Sequence, residues 1–137
     1  MRSTVAVPAV ALLIAACSSA TALVPDRLEG RWAWTSATGG IAGHTITPAT
    51  EGYTMEVRFL GNGRAELYRD DAFTRGTDFE IGIGREGGSF PGREVIRFEE
   101  PLFGGWEEMA LELPEPGRLL LADGCCDGYA YDFERIE

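Results

Sequence analysis

Few residues of this chain have side chains suited to chemistry, and their spacing argues against most of it. His44 is the only histidine, and no nucleophile motif surrounds any serine, so a Ser–His–Asp relay has no support. The carboxylate pairs Asp70-Asp71, Glu99-Glu100 and Glu107-Glu108 are adjacent residues. In an extended chain neighbours face opposite ways, so these pairs read as solvated surface and not as acid–base dyads. Asp123-Gly124-Cys125-Cys126-Asp127-Gly128 with Glu134 nearly follows the spacing of a helix-flanked calcium loop. Cys125 breaks that pattern, and strand-like runs flank it, so a turn is expected. Cys125 and Cys126 would oxidise outside the cytoplasm, yet adjacent residues can bridge only through a strained ring. A disulfide or thiol pair is one reading; a small core residue beside a turn residue is the other. No catalytic residue, metal ligand or cofactor is expected, and the chain is not read as an enzyme.

The third cysteine, Cys17, has a different setting. Met1-Arg2-Ser3-Thr4 is a short basic start, and Val5 to Ala16 is apolar and uncharged. About a dozen residues are too few to span a bilayer but suit the core of a signal peptide. The run ends Ile14-Ala15-Ala16-Cys17. That tetrapeptide resembles the bacterial lipobox at all four positions. The resemblance implies cleavage before Cys17 and acylation of its sulfur and amine. One acyl chain holds a protein marginally, and two or more hold it firmly. Ser18 follows the cysteine and resembles the outer-membrane sorting pattern of Gram-negative lipoproteins. Residues 1–16 are thus expected to be a leader and residues 17–27 an acylated cysteine with a short tether. Residues 28–137 remain for one folded domain. The tether reaches about 25–30 Å at full stretch, so the domain would sit close to its membrane.

That domain reads as all-β. Leu28, Trp32 and Trp34 share a parity in the run Gly30 to Ser36. Tyr53, Met55, Val57 and Phe59 alternate with polar positions, and Gly61-Asn62-Gly63 then signals a hairpin. Further strand-like runs are 64–69, 73–84, 93–98, 107–113, 118–122 and 129–135, separated by Gly-, Pro- and Asp-rich connections. Residues 37–51 read as one long loop, and no helix is expected after the leader. About eight runs with short connections favour an antiparallel up-and-down barrel, with a flattened sandwich as the alternative.

Gly30-Arg31-Trp32 opening the first strand resembles the Gly-x-Trp signature of lipocalins and their calycin relatives. Gly39-Gly40, the Phe59 to Gly63 turn and the ending Asp127-Gly128…Phe133-Glu134-Arg135-Ile136 extend the likeness to small bacterial lipocalin-like lipoproteins. The resemblance implies that Trp32 packs near the closed end under Arg135, with Gly30, Trp32 and Arg135 as structural residues.

The formal net charge of −10 argues against nucleic acid as a partner, because phosphate binding needs a basic stripe. In an up-and-down barrel, successive connections alternate between the two ends. Residues 37–51, 70–71, 99–105 and 123–128 should share one rim, with six carboxylates; the other connections should be mostly tight turns. An acidic mouth over an aromatic interior would favour a small apolar or cationic ligand. Trp34, His44, Tyr53, Phe103, Tyr129 and Tyr131 are the expected ligand-binding residues. The domain is expected either to bind such a ligand or to act as a filled structural or interaction module. Its expected place is the bacterial cell envelope, on the outer membrane, held through its lipid.

Acylation is directly testable. Cys17→Ser should abolish incorporation of a fatty-acid analogue and release the globular part from the membrane, because the rest of the chain has no second apolar run long enough to span. Equal labelling of wild type and variant would refute it.

Overall fold

The computed structural model describes residues 26–125 and 127–137. Nine strands form one antiparallel sheet: β1 (Gly30–Gly39), β2 (His44–Ile46), β3 (Met55–Phe59), β4 (Arg64–Arg69), β5 (Ala72–Ile83), β6 (Glu94–Phe98), β7 (Glu108–Glu115), β8 (Arg118–Ala122) and β9 (Tyr129–Arg135). Each strand from β3 onward pairs with the next, and β9 pairs with β1. Eight strands therefore close into an up-and-down barrel, with β2 added beside the upper end of β1. The leader, Cys17 and the tether up to Pro25 lie outside the described residues.

Alternation explains the interior. Trp32, Trp34, Val57, Phe59, Ala65, Leu67, Ile96, Phe98, Met109, Leu111, Leu119, Leu121 and Phe133 are buried in one continuous core. A bulge between Trp34 and Ser36 shifts the parity of β1, so Ala37 is buried. The outer wall is laced by arginine pairs. Arg31 and Arg58 stand opposite each other on β1 and β3. Their repulsion is relieved by Glu56, which accepts from Arg31 Nε (2.7 Å) and Nη2 (3.0 Å) and from Arg58 Nε (2.6 Å). The Arg31 hydrogen bond is the main reason the Glu56 carboxyl lies below its ordinary range.

One end is closed by the first and last strands together. Trp32 is paired with Arg135, whose guanidinium carbon lies 4.3 Å from the indole ring centre. Trp32 Nε1 donates to the Leu28 carbonyl at 2.8 Å. Arg135 donates to the carbonyls of Glu29 and Arg27, fastening the incoming turn. Gly30 makes this approach feasible: its φ is +132°, and a Cβ there would lie 2.4 Å from the Glu137 carbonyl oxygen.

Several local expectations change. Residues 37–51 are not one loop: β1 runs on to Gly39, β2 returns, and Pro48–Glu51 forms a single helical turn, α1. Thr47 caps α1 and exchanges hydrogen bonds with Thr50, while Gly52 ends it at φ +75°. At Gly61-Asn62-Gly63 only Gly63 has positive φ, so the hairpin is a three-residue turn. The paired positive φ values occur at Asp70 (49°) and Asp71 (63°). Pro114 lies inside β7, where the register shifts between Glu112 and Glu115, so the turn there narrows to 116–117. The connection at 84–93 is no tight turn. It folds over the outer wall and buries Phe90 with Val95 and Ala110 in a second, smaller cluster.

Trp32→Ala should destabilise the fold by about 3–5 kcal/mol, and Arg135→Ala by less. Their coupling in a double-mutant cycle should be about 0.5–2 kcal/mol, the range of a partly desolvated cation–π contact. Equilibrium denaturant melts measure it, and strict additivity would refute a working contact.

Candidate ligand-binding site at the barrel mouth

The opposite end is closed by a loop and not by strands. Residues 99–107 leave β6 and turn inward, so that Leu102 is fully buried and Phe103 is 8 % exposed. Phe103 meets Tyr131 at 4.8 Å and Phe133 at 5.8 Å between ring centres. The loop is tied to β5, since Glu99 N donates to the Asp78 carbonyl at 2.9 Å and Glu100 N to Thr77 Oγ1 at 2.9 Å.

The plug does not fill the mouth. A cavity of about 380 Å³ remains, lined by Tyr53, Met55, Leu67, Arg69, Thr74, Arg75 and Pro101 to Gly105. Alternation places its walls. Met55 and Leu67 continue the inward faces of β3 and β4, and Arg69 ends the Ala65, Leu67 series. A bulge between Leu67 and Tyr68 re-registers β5 and sets Arg75 opposite Leu67. The β5–β6 ladder starts at Phe79. Upper β5 therefore faces the plug across a gap, and the cavity opens there.

The floor is apolar and aromatic. Tyr53 stacks on Trp34 with centres 5.7 Å apart, and the Arg69 guanidinium lies 3.7 Å over the Tyr53 ring. Arg75 Nη1 donates to the Pro101 carbonyl at a long 3.5 Å. Among the described residues neither Arg69 nor Arg75 forms an ion pair; those that exist belong to other arginines, chiefly on the outer wall.

Of the expected ligand residues, Tyr53 and Phe103 line this cavity. Trp34 lies directly beneath Tyr53, and Tyr131 and Tyr129 continue the aromatic layer behind Phe103. His44 does not join them; it is exposed on β2, paired with Gly39. The carboxylates expected at the rim stand outside the cavity wall. No carboxylate lines the cavity. Asp70 is engaged by Thr54 N at 2.9 Å, and Asp70-Asp71 form the β4–β5 turn. Cys125 is exposed in the turn between β8 and β9, and Cys126 lies outside the described residues. Arg69, Arg75, Met55, Leu67 and Leu102 were not anticipated. The Ala65, Leu67, Arg69 parity carries a signal for Arg69, and Arg75 shares the parity of Thr77, Phe79 and Ile81.

Behind the plug, Asp123 and Tyr131 face the backbone of Gly104. A Cβ on Gly104, whose φ is +71°, would lie 2.9 Å from the Tyr131 hydroxyl and 3.6 Å from Asp123 Oδ1. Asp123 Oδ2 accepts from Tyr129 N at 3.1 Å, but among the described residues the buried Oδ1 has no partner. Burial raises the Asp123 carboxyl above its ordinary value, and burial with the nearby Asp123 charge pushes the Tyr131 phenol up to about 12. Trp34 Nε1 is likewise buried without an acceptor among the described residues.

A larger cleft of about 460 Å³ lies at the closed end, among Arg27, Leu113 to Gly117 and Arg135. Its two cations are already committed, Arg27 to Glu94 and Arg135 to backbone carbonyls. The mouth is thus the better candidate site. Comparison with protein-family models, curated proteins and solved structures finds no match for the chain. The fold alone defines the class: a small antiparallel up-and-down barrel, compatible with a calycin-like architecture.

Asp123 gives a prediction with a definite sign. A carboxyl raised in the folded state binds protons more readily there, so stability falls as pH climbs from the unfolded value to the folded one. Asp123→Asn keeps the acceptor for Tyr129 and removes that loss. Thermal melts should show the variant more stable than wild type at neutral pH, with no advantage at about pH 3. An equal advantage at both pH values would refute the buried carboxylate as its source.

Proposed function

We propose that this protein is a lipid-anchored lipoprotein of the bacterial cell envelope, lipocalin-like, whose barrel binds a small, partly apolar ligand at its mouth. The observation that carries the reading is the open cavity of about 380 Å³ over an apolar and aromatic floor. Its size falls within the range of small-molecule sites, and binding loops on a rigid barrel commonly carry function. The leader and the Ile14-Ala15-Ala16-Cys17 tetrapeptide support the anchor, and Ser18 supports the outer membrane.

A second reading has its own observation. Trp32, Phe59, Met109, Leu119 and Phe133 are fully buried in one continuous core, as a filled structural module would have. Under the first reading, the ligand sits in the mouth above this core.

Native mass spectrometry of the full-length protein from its own membrane separates the two. Wild type should carry a small-molecule adduct, and Thr74→Trp, which blocks the cavity from an exposed wall position, should lose it. Absence of an adduct from both would favour the filled module. An adduct retained by Thr74→Trp would place any ligand elsewhere.

A further inference from the structure

We propose that the mouth cavity selects an anionic amphiphile, whose carboxylate, phosphate or sulfate head is held between Arg69 and Arg75. This rests on the mouth being the ligand site, and it reverses the charge expected from the rim as a whole.

The chain carries 22 acidic against 12 basic residues, so an arginine has carboxylates to choose from. Around the barrel the choice is exercised: Arg31, Arg58, Arg97 and Arg118 each contact a carboxylate at 2.5–2.7 Å. Arg69 and Arg75 line a cavity that has no carboxylate in its wall, and among the described residues neither is ion-paired. Two like charges gathered on one apolar pocket repel each other unless an anion joins them. A cationic ligand would meet the same repulsion.

The geometry suits a head and a tail. Arg69 is ordered by lying on Tyr53, which is itself ordered by Trp34, so little side-chain freedom is left to lose on binding. A guanidinium bears five N–H donors in a fixed fork. Stacking on Tyr53 occupies the face of Arg69 and leaves its edge donors available, and the single long bond from Arg75 to Pro101 leaves most of that fork available too. Such forks match carboxylate and phosphate oxygens in pairs. Both guanidinium groups belong to exposed residues at the rim, while Met55, Leu67 and Phe103 lie deeper. An anionic head would therefore stay near water while its apolar tail replaced water over the floor. The gap between upper β5 and the plug is the way in.

The test uses the full-length protein in nanodiscs of zwitterionic lipid, with empty nanodiscs as blank, titrated calorimetrically at neutral pH with octanoate, octanol, octylamine and inorganic phosphate. Octanoate should bind at least about tenfold more tightly than octanol, and octylamine more weakly than octanol. The pair Arg69→Gln and Arg75→Gln should lower octanoate to the level of octanol and leave octanol unchanged, which also shows that the cavity is still formed. The Lys counterparts, which keep the charge without the fork, should fall between. Equal binding of octanoate and octanol to wild type would overturn the anionic head and leave the mouth as an apolar site. Inorganic phosphate binding as tightly as octanoate would overturn the amphiphile. No binding of any of the four probes would overturn the mouth as a ligand site, and the proposal with it.

Discussion

The barrel depends on the seam between its first and last strands. The other eight ladders could form in an open, twisted sheet, and such a sheet would leave two rows of unpaired backbone groups. The β1–β9 ladder removes both rows, from Trp32–Arg135 at one end to Gly39–Tyr129 at the other. It joins residues about a hundred positions apart, so it bears a large loop-closure entropy cost. Side chains concentrate there accordingly. Trp32 supplies buried aromatic surface, Arg135 covers it and reaches the carbonyls of the incoming chain, and Gly30 lets the Glu137 backbone approach. Arg31 N completes the seam by donating to the Glu137 carbonyl at 2.8 Å.

Two ends with different chemistry follow from that seam. At the closed end the cations are consumed by the fold itself, since Arg135 and Arg27 hold backbone and carboxylate groups already present. At the mouth, closure comes from a loop that drops Leu102 and Phe103 into the barrel, and two arginines are not used in this way. A cation committed to its own fold has little to offer a ligand. One left beside an apolar cavity has most of its donors available.

The strand pattern was largely legible because a half-buried strand repeats every two residues, and Tyr53 to Phe59, Ala65 to Leu67 and Tyr129 to Phe133 keep that period. The features that escaped are those which break a period or act across space. The bulges at Trp34/Ser36 and Leu67/Tyr68 each add a residue, Thr35 and Thr74, that no local pattern announces. The α1 turn is four residues long, too short to show helical periodicity, although Thr47, Pro48 and Gly52 carry its capping signals. Leu102 and Phe103 look like loop residues in sequence, and only the tertiary fold makes them core. The charge of the rim connections is not the charge of the cavity wall. What a ligand meets is the set of side chains facing the cavity, and there Asp70 is spent on Thr54 while Arg69 faces inward.

The loop at 84–93 has a consequence of its own. Its Phe90 packs on Val95 and Ala110 outside the barrel wall, in a cluster separate from the interior. Gly84 allows this, since a Cβ there would meet the Phe90 carbonyl oxygen at 1.7 Å. The molecule thus has two units of cooperativity of unequal size. Detaching the outer strap exposes one aromatic ring and a few small side chains and leaves every ladder of the barrel intact. Backbone amides of the strap itself, such as Gly88 N and Gly92 N, therefore exchange with solvent through a local opening, while those of the β1–β9 seam exchange only when the barrel itself comes apart.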